Sequence, residues 1–222
     1  MMNERELWER RKAQWEKDKA RKLQNFRQLN RYIQKGQTLF TGSSLMEQLP
    51  IAEFCLNEGL PVAYNRGIGG YTTDDFLAAI DEMLLAPKPS KLFINIGTND
   101  MNDRPDGEDW FSHLSANYRK IAEIIRDQLP KTQVYMMAYY PANLEHPTVK
   151  ASPWMQNRTN ENISRANAMV AALAKEFGFQ YIDVNDGLKD EAGCLKMEYT
   201  VDGIHMTPDA YYTVFERLRP YL

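Results

Sequence analysis

Short apolar, β-prone runs recur along the chain at residues 38–41, 62–65, 91–96, 133–138 and 180–184. Between them lie longer stretches with helical patterning, which predict helices over 50–57, 73–85, 110–128, 160–176 and 208–219. Strands that alternate with helices in this way form a parallel sheet joined by right-handed crossovers. Five such strands with helices on both faces predict a three-layer α/β/α sandwich. Pro50 suits a first helical position, and Gly59 and Gly178 lie just beyond expected helix ends.

The first 35 residues break this rhythm. Residues 3–34 contain neither Pro nor Gly and are rich in Glu, Lys, Arg, Gln and Leu, which predicts one long helix ending before Gly36. Trp8, Trp15, Leu23, Phe26, Leu29 and Ile33 form an imperfect apolar stripe along it. Residues 3–35 carry 11 Lys/Arg against 5 Asp/Glu, and the rest of the chain carries 16 against 25, so an arm of +6 precedes a body of −9. The expected division is therefore a helical arm over 1–35 and an α/β domain over 36–222. An apolar stripe on a lone helix needs a cover; the reading favours a second subunit, a homodimer, over packing back on its own domain or lying on an anionic membrane surface, and expects no direct part in the chemistry.

The whole chain has 222 residues, net charge −3 and 43% hydrophobic residues, which suits one soluble α/β domain and gives no signature of nucleic-acid binding. Cys55 and Cys194 make neither a disulfide framework nor a zinc or redox pair. The charged N-terminus lacks the apolar core of a signal peptide and no segment is long enough to span a bilayer, so a cytoplasmic location is expected.

Four short segments bear candidate chemistry: Gly42-Ser43-Ser44-Leu45, Asn65-Arg66-Gly67-Ile68-Gly69-Gly70, Gly97-Thr98-Asn99-Asp100 and Asp202-Gly203-Ile204-His205. The first three follow strands, at the carboxyl edge of the sheet where α/β proteins gather their chemistry. Ser44 offers a hydroxyl on a glycine turn, while Asp202 and His205 stand three residues apart, a spacing that lets a carboxylate hold one imidazole nitrogen. Met46 occupies the place where a GxSxG elbow needs its second glycine, which disfavours the α/β-hydrolase arrangement. Tyr71 and Thr72 after Gly70 likewise break a GxGxxG dinucleotide fingerprint.

Together the four segments resemble the SGNH, or GDSL-type, esterases and acylhydrolases, from about Thr38 to Tyr212. The resemblance implies a flavodoxin-like strand order, 2-1-3-4-5, and assigns roles. Ser44 is then the nucleophile, His205 the base and Asp202 its orienter, with the oxyanion held by Ser44, Gly70 and Asn99. At Ser43 the chain departs from the family, which more often has Asp there, so two serines stand side by side. The implied activity is hydrolysis of a carboxylic ester through an acyl-enzyme, with a small acyl group such as acetyl on a carbohydrate preferred. Lysophospholipase or thioesterase action, or a catalytically weak binding module, are the alternatives. No cofactor or metal is called for, and the partners are a small ester and water. Residues 101–110 and 139–157 are expected to wall the pocket, with His146 a candidate lining residue and His113 structural.

Overall fold

The computed structural model describes residues 4–102, 104, 106–152, 155 and 157–222, and of the side chains in the first helix those of residues 4, 5 and 8 lie outside the description. Five parallel strands form one sheet: β1 (Thr38–Gly42), β2 (Ala63–Gly67), β3 (Lys91–Asn95), β4 (Gln133–Met137) and β5 (Gln180–Ile182). Their order is β2-β1-β3-β4-β5, the doubly wound arrangement. The helices are α1 (Glu4–Leu29), α2 (Ser44–Glu47), α3 (Ile51–Asn57), α4 (Thr73–Ala78), α5 (Trp110–Gln128), α6 (Pro147–Lys150), α7 (Asn160–Phe177) and α8 (Pro208–Leu218).

Each face of the sheet packs on its own helical layer. On one face Phe40, Phe93 and Tyr135 occupy matched positions of β1, β3 and β4, and their rings stack at 4.4 and 4.6 Å, close to the strand spacing itself. Ala210, Val214, Phe215 and Leu218 of α8 and Ile51 and Cys55 of α3 close over them. On the other face Leu39, Leu92, Ile94 and Met136 meet Leu114, Tyr118, Ile121 and Ile125 of α5 and Val170 and Leu173 of α7.

Helix α1 packs on this second face of its own domain. Leu23 and Phe26 join the core, Arg66 lies over the Phe26 ring at 4.8 Å, and three ion pairs tie the helix down: Lys19 to Asp75, Lys22 to Glu47 and Arg27 to Glu82. Part of the stripe that the sequence reading gave to a second subunit is therefore covered within the same chain. The fold itself covers Leu23 and Phe26, while Trp15 stays half exposed. Trp8 lies outside the described side chains.

Two further boundaries differ from expectation for local reasons. Pro50 is the cap before α3 rather than its first residue, with ψ of 50°. The helix expected over 73–85 ends at Ala78, and Asp81–Leu85 follow as a wider π turn. There the Ala86 N–H bonds the Asp81 carbonyl, and Pro87 has no N–H to offer, so the Glu82 carbonyl accepts from Asn30 of the α1 extension at 2.7 Å. No helix among the described residues is long and apolar enough to cross a membrane.

Candidate active site

β1 ends at Gly42, where a Cβ would stand 1.9 Å from the carbonyl oxygen of Asn95 on neighbouring β3. A residue without a side chain lets the strand turn this close to the sheet, and the turn makes Ser43 the cap and Ser44 the first residue of α2. Ser43 is buried, and its Oγ has no hydrogen-bond partner among the described residues. Ser44 Oγ lies 2.8 Å from His205 Nε2.

His205 sits in a loop closed by the pairing of Thr200 with Met206. Thr200 Oγ1 accepts from the Gly203 N–H at 2.7 Å and donates to the His205 carbonyl at 2.9 Å, fixing the turn that brings Asp202 beside the ring. Asp202 Oδ1 accepts from the N–H groups of Ile204 and His205, at 2.9 and 2.8 Å, and its Oδ2 lies 2.6 Å from His205 Nδ1. Burial alone would raise this carboxyl, but the hydrogen bonds from the His205 ring and from the two N–H groups outweigh it and hold the pKa at about 2. An ionised carboxylate can only accept, so Nδ1 carries the ring proton. A neutral ring then presents Nε2 as an acceptor, and the Ser44 hydroxyl donates to it.

The turn after β2 approaches from the side. Gly69 N–H donates to Glu47 Oε2 at 2.6 Å, and a Cβ at Gly69 would lie 3.6 Å from that of Ser44. Gly70 follows with φ of +76°, a conformation that favours glycine, and its Cα faces the Trp15 ring of α1. The N–H groups of Ser44 and Gly70 are engaged by no other described residue, the former because the first N–H groups of a helix have no intrahelical acceptor.

Asn99 projects from the short 3₁₀ turn Thr98–Asp100 after β3. Its Nδ2 donates to the Tyr71 carbonyl at 2.9 Å, leaving a second amide hydrogen, and its Oδ1 accepts from Arg158 Nη2 at 2.5 Å. Asp100 anchors the turn by accepting from the Thr73 N–H at 3.1 and 3.0 Å and from the Thr73 hydroxyl. Burial raises the Asp100 carboxyl to about 6 against the pull of these hydrogen bonds.

A cavity of about 540 Å³ opens at Gly70 and Asn99. The structure thus joins Ser44, His205 and Asp202 by direct hydrogen bonds, while Gly70 and Asn99 line the cavity and those three residues do not. Asn102, from one loop expected to form the walls, also lines it, as does Arg158, just past the other. Pro153 and Trp154 fall outside the described residues. His146 caps α6 by accepting from the Thr148 N–H, so its candidate lining role is replaced by a capping one. His113 bridges Glu108 and Asp74 at 2.8 Å each.

Two contributors escape the sequence reading. Trp15 and Lys19 of α1 form one side of the cavity, and Arg158 forms part of its floor. Neither belongs to a motif. Only the unexplained apolar stripe of α1 hinted that the helix had something to cover. Among the described residues no three His, Cys, Asp or Glu side chains are grouped to hold a metal ion.

The model of the GDSL-like lipase/acylhydrolase family matches residues 38–212, which include all four segments. The chain belongs to this family. A solved protein from Streptococcus pneumonia, described as a candidate platelet activating factor, is 27% identical, with 99% of each chain covered and a TM-score of 0.86. That coverage takes in α1. A candidate acylhydrolase from Bacteroides fragilis is 23% identical over 90% of this chain and 94% of its own, with a TM-score of 0.71. The acetylxylan esterase Axe2 from Geobacillus stearothermophilus is 18% identical over 84% and 95%, with a TM-score of 0.61, a likeness of fold. The chain matches no functionally curated protein.

Proposed function

We propose that this GDSL-like family member is a serine esterase that removes a small acyl group, acetyl above all, from a carbohydrate-like alcohol. The observation that carries the reading is the unbroken run of hydrogen bonds from Ser44 Oγ through His205 to Asp202 at the carboxyl edge of the sheet. Ser44 Oγ attacks the ester carbonyl carbon as its proton passes to His205 Nε2. The carbonyl oxygen becomes an oxyanion and accepts from the N–H groups of Ser44 and Gly70 and from the free amide hydrogen of Asn99. Collapse of this intermediate breaks the bond to the alcohol oxygen, and Nε2 returns the proton to the departing alcohol. Water then attacks the acyl-enzyme, gives its proton to Nε2, and releases the acid and Ser44. Asp202, ionised throughout because its carboxyl is held at about 2, steadies the imidazolium in both halves.

The preference for a small acyl group is supported by the fold shared with acetylxylan esterases. Initial rates with p-nitrophenyl esters of increasing chain length, followed by acetylated sugars, test the reading. Acetate is expected to be turned over fastest and to fall away with chain length. Rates that climb to long acyl chains would favour a lipid substrate, and no turnover of any ester would overturn the assignment.

A further inference from the structure

Two of the cations on the cavity wall are buried, Lys19 and Arg158, and of these only Lys19 has carboxylate partners among the described residues. Arg158 is 5% exposed, its Nε has no hydrogen-bond partner among the described residues, and its Nη2 donates to the neutral Asn99 Oδ1. No carboxylate among the described residues pairs with it. Asp202 and Asp100 act on it only from a distance, and burial outweighs them, lowering the guanidinium to about 10. An unpaired charge is costly to bury, and the guanidinium is stabilised when an anion comes close to it.

Helix α1 adds to the same field. Lys19 is committed to Glu16 and Asp75, at 3.1 Å each, and stands 5.7 Å from the centre of the Trp15 ring. Arg11 and Lys12 line the cavity as well and form no ion pair among the described residues. Four cationic side chains therefore face two acidic ones, with the unpaired positive charge at the floor and at the rim. The exposed Trp15 ring between them offers a flat wall on which a sugar ring or similar body can lie.

We propose that this cavity is an anion subsite, and that the ester acted upon carries a carboxylate or a phosphate on its alcohol portion, seated against Arg158 with Arg11 and Lys12 at the entrance. The proposal rests on the esterase reading for the word substrate, but the binding it describes does not require turnover. A uniform electrostatic role for Arg158 at the oxyanion would help every ester alike. An anion subsite separates charged from neutral ones.

The test is calorimetric titration of the full-length Ser44→Ala protein with three acetyl esters that share one sugar: a methyl glucoside, the matching glucuronide and the matching glucose 6-phosphate. Binding of at least one charged ester about ten-fold or more tighter than the neutral one is expected, and the better of the two identifies the anion. Arg158→Gln in the same background should bring charged and neutral esters to similar affinity. The exposed pair Arg11→Ala and Lys12→Ala, which leaves the core intact, should reduce the preference several-fold and make it less sensitive to salt. Equal affinity for all three esters, or a preference that survives both sets of substitutions, would overturn the proposal. Turnover of p-nitrophenyl acetate by the unaltered enzyme judges the esterase reading separately.

Discussion

Ser43 and Ser44 carry the same hydroxyl on adjacent residues, and their surroundings separate them. Ser43 Oγ is enclosed without a partner among the described residues, whereas Ser44 Oγ meets His205 at 2.8 Å. Ser44→Ala should lower ester hydrolysis by several orders of magnitude with stability changed by no more than about 0.5 kcal/mol. Ser43→Ala removes an unsatisfied buried hydroxyl and should leave both rate and stability near those of the parent; a silent Ser43→Ala enzyme would shift the assignment by one residue. Asn99→Ala should reduce kcat by roughly 100-fold, about 3 kcal/mol of transition-state stabilisation, with little change in KM. A change confined to KM in steady-state assays would make the amide a ground-state contact instead. Ser44, Gly70, Asn99, Asp202 and His205 were legible because each belongs to a short local motif. Arg158 was not, because its meaning comes from burial and from an Asn99 contact 59 residues away.

At the scale of elements, the turn after β2 is held from two sides by α1. Lys22 pairs with Glu47 at 2.5 Å, Glu47 accepts the Gly69 N–H, and the Trp15 ring lies where any side chain on Gly70 would have to go. In Gly70→Ala the new Cβ would approach Trp15 Cζ2 to 2.1 Å and the residue would keep a positive φ, itself costing about 1–2 kcal/mol. We expect kcat/KM to fall at least ten-fold, and Trp15→Ala in the same protein to restore part of that loss, the steric part. No recovery in the double variant would mean that backbone strain alone is responsible. Strands and long helices were readable from apolar periodicity, and α5 spans the residues expected of it. The break after Ala78 was not, because neither glycine nor proline marks it, and the Asn30 that donates to the Glu82 carbonyl in the turn beyond comes from a distant segment.

For the molecule as a whole, α1 packs on the domain and supplies part of the cavity wall rather than standing apart as an appendage. A protein beginning at Lys35 loses the partial burial of Leu23 and Phe26 together with the ion pairs to Asp75, Glu47 and Glu82. The loss should be roughly 3 kcal/mol, lowering the thermal midpoint by about 6–12 °C for a domain of this size. Thermal melts and ester assays on the two proteins check this; an unchanged midpoint and unchanged activity would show the helix to be dispensable. Light scattering on the same pair reports separately whether the exposed Leu7 and Leu29 also meet a second subunit. The position of α1 could not be read from sequence, since an amphipathic stripe records that a surface is covered and not which surface covers it.

The central claim is that Ser44 becomes acylated. Brief mixing with p-nitrophenyl acetate, acid quenching and mass spectrometry of the intact protein and its peptides tests this most directly. The account predicts one acetyl group, located on Ser44, absent from Ser44→Ala and longer-lived in His205→Ala if it forms there at all. An acetyl group on another residue that persists in Ser44→Ala, or steady turnover by Ser44→Ala at the parent rate, would contradict it.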